Sequence, residues 1–465
     1  MVTLNNSRLQ SANYRRLLFG LYLSYIINQR KNMKTFVALL FFSVLFFQSV
    51  KAQEADRQIW DLINQSDWFR LEEEYPKVSG QLQSVAVKAL SEVMIGTYFN
   101  KPVETIHLID SLLEHHQEDL GFPNVSSLVA LCSKMLGEIG QYKESADRLY
   151  DFLRQIEAFA KREDFPSHQQ LADYYNTLRN EAAPVVDRPD KDTEIPMTIE
   201  EAGRGVLMFV PVQVHGKTYK FIFDTGAGST FVSKRYADEM GVRVIRDSIN
   251  ITGAFATGTG KSGILDSMMI GDIAFKNAII TIADPNPTVD TVYQVDAVLG
   301  TDFMRLVGEV NIFPQERKIC FPVNRYSLPG TGRNMWMYDG GLRLKVFSGN
   351  ERLHFVFDTG NVRADMFYPY YQKHKEWIDA EGVKDQIFGG GFGGVRNLEV
   401  LRLSSIPLRL GNTSFEIKDI QVNYKEPEAD WSQKNEDGSL GMDFINLFQQ
   451  VIINFDDMFL EVTMN

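Results

Sequence analysis

Two aspartates in this chain stand where apolar runs end abruptly. The first lies in Phe221-Ile222-Phe223-Asp224-Thr225-Gly226-Ala227, and Phe355-Val356-Phe357-Asp358-Thr359-Gly360-Asn361 repeats the pattern 134 positions later. A buried strand that delivers a carboxylate onto a tight turn is an unusual use of charge, because an ionised carboxyl near a core is costly unless it is paired or hydrogen-bonded. Two such deliveries in one chain point to one site with two carboxyls. The other reactive residue types are dispersed. Cys132 and Cys320 stand far apart, form no disulfide framework and read most simply as buried thiols, and the seven histidines have no metal-ligand spacing, so neither a metal nor a cofactor is expected.

The elements that must position these aspartates repeat as well. Strands at 206–214 and 219–223 flank the turn His215-Gly216-Lys217, and 342–347 and 353–357 flank Ser348-Gly349-Asn350. A Gly-rich stretch at 249–265 is answered by Phe388-Gly389-Gly390-Gly391-Phe392-Gly393-Gly394. Ile270-Gly271-Asp272 is answered by Leu410-Gly411-Asn412, and Val298-Leu299-Gly300-Thr301-Asp302-Phe303 by Ser439-Leu440-Gly441-Met442-Asp443-Phe444. Several landmarks in the same order mark an internal duplication of a β-rich unit.

Around this duplication the chain divides by composition. At 465 residues, with 44% hydrophobic and 23% charged residues, it is an ordinary globular sequence long enough for two or three domains. A formal net charge of -12 with no long basic run argues against a nucleic-acid partner. Residues 33–52 have the basic start, apolar core and small cleavage residues of a secretory signal, with cleavage expected after Ala52. On that view 1–32 is an upstream mis-start. The alternative, an anchor built from both apolar runs, must bury the charges between Arg30 and Lys34, so no stable membrane span is expected.

Residues 53–185 carry helical spacing, as in Leu149, Phe152, Leu153 and Ile156. The segment 136–145 resembles the inter-helix turn of a tetratricopeptide repeat and 98–105 echoes it; an unclassified helical bundle fits equally. Residues 186–196, with their prolines and alternating charges, read as a linker, and 326–334 as a second one.

Each repeated unit resembles a lobe of a retropepsin-like aspartic protease, the first over 197–325 and the second over 335–465. The resemblance implies a multidomain α and β protein: an N-terminal helical domain, then a duplicated, mainly-β, bilobal protease-like domain. It implies that Asp224 and Asp358 form a catalytic pair sharing one proton, the situation for which pepsin is the standard worked case. It further implies that Thr225 and Thr359 hold the two Asp loops together, and that Gly226 and Gly360 let main-chain N–H groups reach the carboxylates. Gly253, Phe255 and Gly258, with Gly391, Phe392 and Gly393, become candidate flaps, although a Gly-rich stretch between strands also suits a plain exposed hairpin. Asn361 departs from the small residue usual after the motif, which Ala227 keeps, and 368–387 lengthens the second lobe.

Three functions compete at this level. The first is an exported aspartic endopeptidase acting on a peptide or protein substrate, best at acid to mildly acid pH. The second is a retired, peptide-binding relative whose helical domain recruits a protein partner, and the third is a helical scaffold with a structural β half. Retention of both aspartates, threonines and glycines favours the enzyme, since a binding groove has no need of a charged pair that costs stability.

Overall fold

A computed structural model describes residues 52–202, 205–253, 257–283, 295–391, 394–426 and 435–464. The expected leader at 33–52 lies outside them apart from Ala52, as does 1–32. The chain divides at Ala183/Pro184 into two compact units.

The first unit is helical: Ala52–Asn64, Trp68–Val78, Val85–Tyr98, Pro102–His115, Gln117–Glu138, Tyr142–Ile156 and Pro166–Leu178. Asp67 and Ser84 cap the second and third by accepting the N–H groups of Arg70 and Val87, donors that would otherwise lack partners. Leu149, Phe152, Leu153 and Ile156 are all buried, as their spacing requires. Segments 98–105 and 136–145 each span a turn between consecutive helices. Among the described residues no helix is long and apolar enough to cross a membrane.

The second unit is mainly β and contains two similar lobes. In the first, Lys217–Phe223 pairs antiparallel with Gly205–Val214 and, at its end, parallel with Ala297–Leu299, Leu299 lying opposite Phe223. In the second, Glu351–Phe357 pairs antiparallel with Gly341–Ser348 and parallel with Gly438–Leu440, Leu440 lying opposite Phe357. Each strand that ends in an aspartate is therefore an inner strand of its sheet. Phe221, Phe223, Phe355 and Phe357 are fully buried and fix its register.

A five-stranded sheet joins the lobes, in the order Thr193–Pro196, Lys318–Phe321, Glu309–Phe313, Phe448–Asn454, Phe459–Met464. Glu309–Phe313 of one lobe and Phe448–Asn454 of the other pair antiparallel at its centre.

Two features differ from the sequence expectation. The stretch 186–196 is not all linker: Val185–Asp187 pairs with Ile273–Ala283, and Thr193–Pro196 forms the edge of the shared sheet. Thr193 and Ile195 point inward while Glu194 and Pro196 face out, and proline is tolerated at an edge. The longer segment of the second lobe forms two short helices, Tyr368–Lys373 and Lys375–Glu381, where the first lobe has one, Lys234–Met240.

Candidate active site

The end of each Asp-bearing strand is held from behind. Asp224 N–H donates to Leu299 O (3.1 Å) and Asp358 N–H to Leu440 O (3.0 Å), so the strand before each Leu-Gly pair fixes where its aspartate leaves the sheet. The turns that follow are anchored in the same manner, with Thr301 N–H on Ala227 O and Met442 N–H on Asn361 O, both at 2.9 Å.

The two turns are then locked to each other. Thr359 Oγ1 accepts from Thr225 N–H (3.0 Å) and donates to Phe223 O (2.6 Å). Thr225 Oγ1 accepts from Thr359 N–H (3.0 Å) and donates to Phe357 O (3.0 Å). Both threonines are fully buried, so these four bonds form in a low-dielectric setting where unmade partners are expensive.

This lock brings Asp224 and Asp358 face to face, close enough to share a hydrogen bond. Gly226 N–H donates to Asp224 Oδ1 (2.7 Å) and Gly360 N–H to Asp358 Oδ1 (2.9 Å). The glycines are required by the approach itself. A Cβ on Gly226 would lie 2.4 Å from Asp358 Cγ, and one on Gly360 2.4 Å from Asp224 Oδ2.

The carboxyls keep part of their surface open, yet protein surrounds them closely enough for lost hydration to dominate. Desolvation raises Asp224 above the ordinary carboxyl range, against the stabilising N–H groups of Gly226, Ala227 and Gly360. Desolvation, then the charge of Asp224 and the hydrogen bond to it, pushes Asp358 up well beyond that range. Two carboxyls this close cannot both ionise cheaply, so the pair titrates as a unit that shares one proton.

The candidate flaps are partly described. Arg243–Thr252 and Thr257–Ile270 form a hairpin closing at Thr252 opposite Thr257, and Val383–Gly391 and Gly394–Leu410 form another closing at Gly391 opposite Gly394. Gly253 follows the first closing pair and Gly258 lies opposite Ile251. Phe255, Phe392 and Gly393 lie outside the described residues.

Sequence reasoning missed the supports beneath the loops. The Asp302 carboxylate accepts from Thr230 N–H and Thr230 Oγ1, both at 2.8 Å. Asp443 accepts from Ala364 N–H at 2.8 and 2.9 Å. The duplicated Asp-Phe pair, Asp302-Phe303 and Asp443-Phe444, is the signal in the sequence that points to them. Asn361 donates through Nδ2 to Ser439 Oγ (2.9 Å), a bond Ala227 cannot make.

The family described as gag-polyprotein putative aspartyl protease matches residues 210–306, which include Asp224-Thr225-Gly226. Solved structures similar to the chain include an aspartic proteinase from Irpex lacteus, at 15% identity and a TM-score of 0.38, covering 59% of this chain and 97% of that one. Basic 7S globulin from soybean is another, at 9% identity and a TM-score of 0.38, covering 60% and 96%. No curated protein matches. The family match marks residues 210–306, within the first lobe, as aspartic-protease-like.

Proposed function

We propose that the duplicated β unit is an aspartic-type endopeptidase, hydrolysing peptide bonds through a water held between Asp224 and Asp358. The observation that carries this is the pair itself: two enclosed carboxyls on Thr-locked turns, each packed against the glycine of the other's loop and both raised by lost hydration.

One carboxyl of the pair holds the shared proton and the other is the anion; we place the proton on Asp358 and the negative charge on Asp224. Asp224 takes a proton from the water as its oxygen attacks the carbonyl carbon, and Asp358 gives its proton to the carbonyl oxygen. The resulting tetrahedral diol collapses as the C–N bond breaks. A proton passes from Asp224 to the leaving nitrogen, and a diol hydroxyl returns one to Asp358. No covalent enzyme intermediate forms, and no step draws on a metal, so chelators leave the rate unchanged.

Because each lobe supplies one aspartate, a single chain holds the whole site. Asp224→Asn or Asp358→Asn fixes one partner as neutral with little change in size. Either replacement should lower peptide hydrolysis by about a thousandfold with unfolding unchanged, measured on monomer at low concentration. Full activity in Asp358→Asn, activity only in dimer, or a wild type that cleaves no peptide at any pH would each reject the assignment.

We also propose export, on the signal-like segment 33–52. The mature protein should begin at Gln53 by N-terminal sequencing, and an intact Met1 on exported material would refute it.

A further inference from the structure

Strand register gives each aspartate a floor. Asp358 follows Val356 by two residues, so its side chain leaves the sheet on the Val356 face. Val356 lies opposite Arg343 on one neighbour and Ser439 on the other, Ser439 lies opposite Asp365, and Asp365 opposite Gln421. Residues directly opposite one another share a face, so these form one row beside Asp358. In the first lobe Asp224 follows Ile222 in the same way, and the matching row is Phe209, Ile222, Val298, Phe231 and Thr281.

The two rows are chemically opposite. The first lobe offers an apolar floor, while the second has Ser439 and Asp365 where the first has Val298 and Phe231. Arg343, Val356 and Asp365 keep part of their surface open, whereas Leu342, Phe355, Phe357 and Met366 on the other face are fully buried. The polar row is therefore the side turned away from the core.

Asp365 is the unbalanced group of that row. It accepts from Ser439 Oγ and from Asn423 Nδ2 (3.0 Å), both neutral donors, and among the described residues no Lys, Arg or His forms an ion pair with it. The cations close by are engaged, Arg343 with Glu436 and Arg363 with Asp419. Asp443, from helix Met442–Ile445, adds a second carboxyl, Gln421 lies opposite on its strand, and Asn361 donates through Nδ2 to Ser439 Oγ (2.9 Å). A carboxylate has about four acceptor sites, so two donors leave Asp365 able to accept more. Enclosed and without a cation, its charge is costly until one arrives.

An extended peptide turns successive side chains to opposite sides, so a peptide lying across the carboxyl pair sets one residue on each floor. Building on the proteolysis proposed above, we infer that Asp365 determines specificity: its carboxylate receives a Lys or Arg side chain of the substrate, while the residue across the cleaved bond is large and apolar and rests against Phe231.

The charge of Asp365 sets the pH at which this selection acts. Desolvation, with Asp443 adding to it, pushes the Asp365 carboxyl up to about 6 against the bonds from Ser439 and Asn423. A cation is favoured once that proton has left. Preference for a basic residue should therefore grow as pH rises through about 6.

The test uses the full chain and peptides that join phenylalanine to lysine in both orders, with matched peptides carrying norleucine, which keeps the stem and lacks the ammonium. In the order that is cleaved, kcat/KM for lysine over norleucine should be about tenfold to a hundredfold near pH 7, the effect of a hydrogen bond between charged groups, and should fall toward one near pH 5. Asp365→Asn should remove the preference at both pH values. Asp379→Asn, which takes an exposed carboxylate from the same lobe, should leave it in place.

A wild type that treats lysine and norleucine alike, or a preference that survives in Asp365→Asn, would overturn the assignment. If that variant fails to fold, the wild-type pH profile carries the test, and a ratio that does not change between about pH 5 and 7 overturns it. If the wild type cleaves nothing, calorimetric binding of the same peptides separates the two ideas. Lysine-favouring binding that is lost in Asp365→Asn keeps the basic-residue site and rejects proteolysis, whereas indifferent or absent binding rejects both.

Discussion

Each of Thr225 and Thr359 uses its hydroxyl twice, once as acceptor and once as donor across the lobe boundary. Thr359→Val keeps the shape but leaves the Phe223 carbonyl and the Thr225 N–H without partners in a buried place. At about 1–3 kcal/mol for each of the two groups, unfolding free energy should fall by about 2–6 kcal/mol, while Thr359→Ser stays close to wild type; denaturant melts of both variants check this. Comparable stability of the valine and serine forms would mean that the lock contributes little. These residues could be read in the sequence because they adjoin the aspartates and recur. Asp365, Asn423 and Ser439 could not. They are common polar types lying far apart along the chain, and only the register of Asp365 on Gln421 brings Asn423 alongside.

Elements met the same divide between local pattern and distant partner. The hairpins before each aspartate were legible from alternation and turn residues, whereas the edge strands Val185–Asp187 and Thr193–Pro196 were hidden by prolines and charges that an edge tolerates. Nor did the sequence disclose that the turn between Met335–Tyr338 and Gly341–Ser348 reaches the first Asp loop. There Thr301 Oγ1 donates to Gly340 O (2.8 Å), and a Cβ on Gly228 would lie 2.2 Å from the Asp339 carbonyl oxygen. The obstacle is main chain, which cannot swing aside as a long side chain can. Gly228→Ala should therefore cost about 1–3 kcal/mol of stability, as overpacking does, and should lower kcat by moving the Asp224 loop. Val362 holds the matching place in the second loop, so a side chain is tolerated there, and Val362→Ala should leave kcat much closer to wild type. Equal kcat losses in the two variants would argue against a turn that bears on the first loop alone.

At the scale of the molecule, duplication was readable because landmarks recur in order, but the sheet that joins the lobes was not. Its central pair joins 309–313 to 448–454, and no local pattern says that segments so far apart lie side by side. That sheet and the threonine lock tie the lobes into one unit, and the unit encloses carboxyls whose pKa values are raised chiefly by desolvation: Asp224, Asp302, Asp358, Asp365 and Asp443. The sign of the linkage follows. A carboxyl whose folded pKa exceeds its unfolded value binds its proton more tightly when native, so its favourable contribution is present at low pH and is lost as pH rises through the window between the two values. For Asp365 that window runs from about 4, the free carboxyl, to about 6; for Asp358 the shift has the same sign. Exposed Glu200, Asp379 and Glu399 are lowered by lysine partners and act in the opposite sense, but solvent screening makes surface pairs weak. The β unit should therefore melt at a higher temperature at pH 5 than at pH 7.5. Asp365→Asn cannot titrate, so it should narrow that difference, and Asp358→Asn should narrow it for the same reason. Calorimetric melting of the full chain at the two pH values, wild type against the two variants, checks this. A wild-type profile that is flat or rises between pH 5 and 7.5 would show that these carboxyls are not held above their unfolded values.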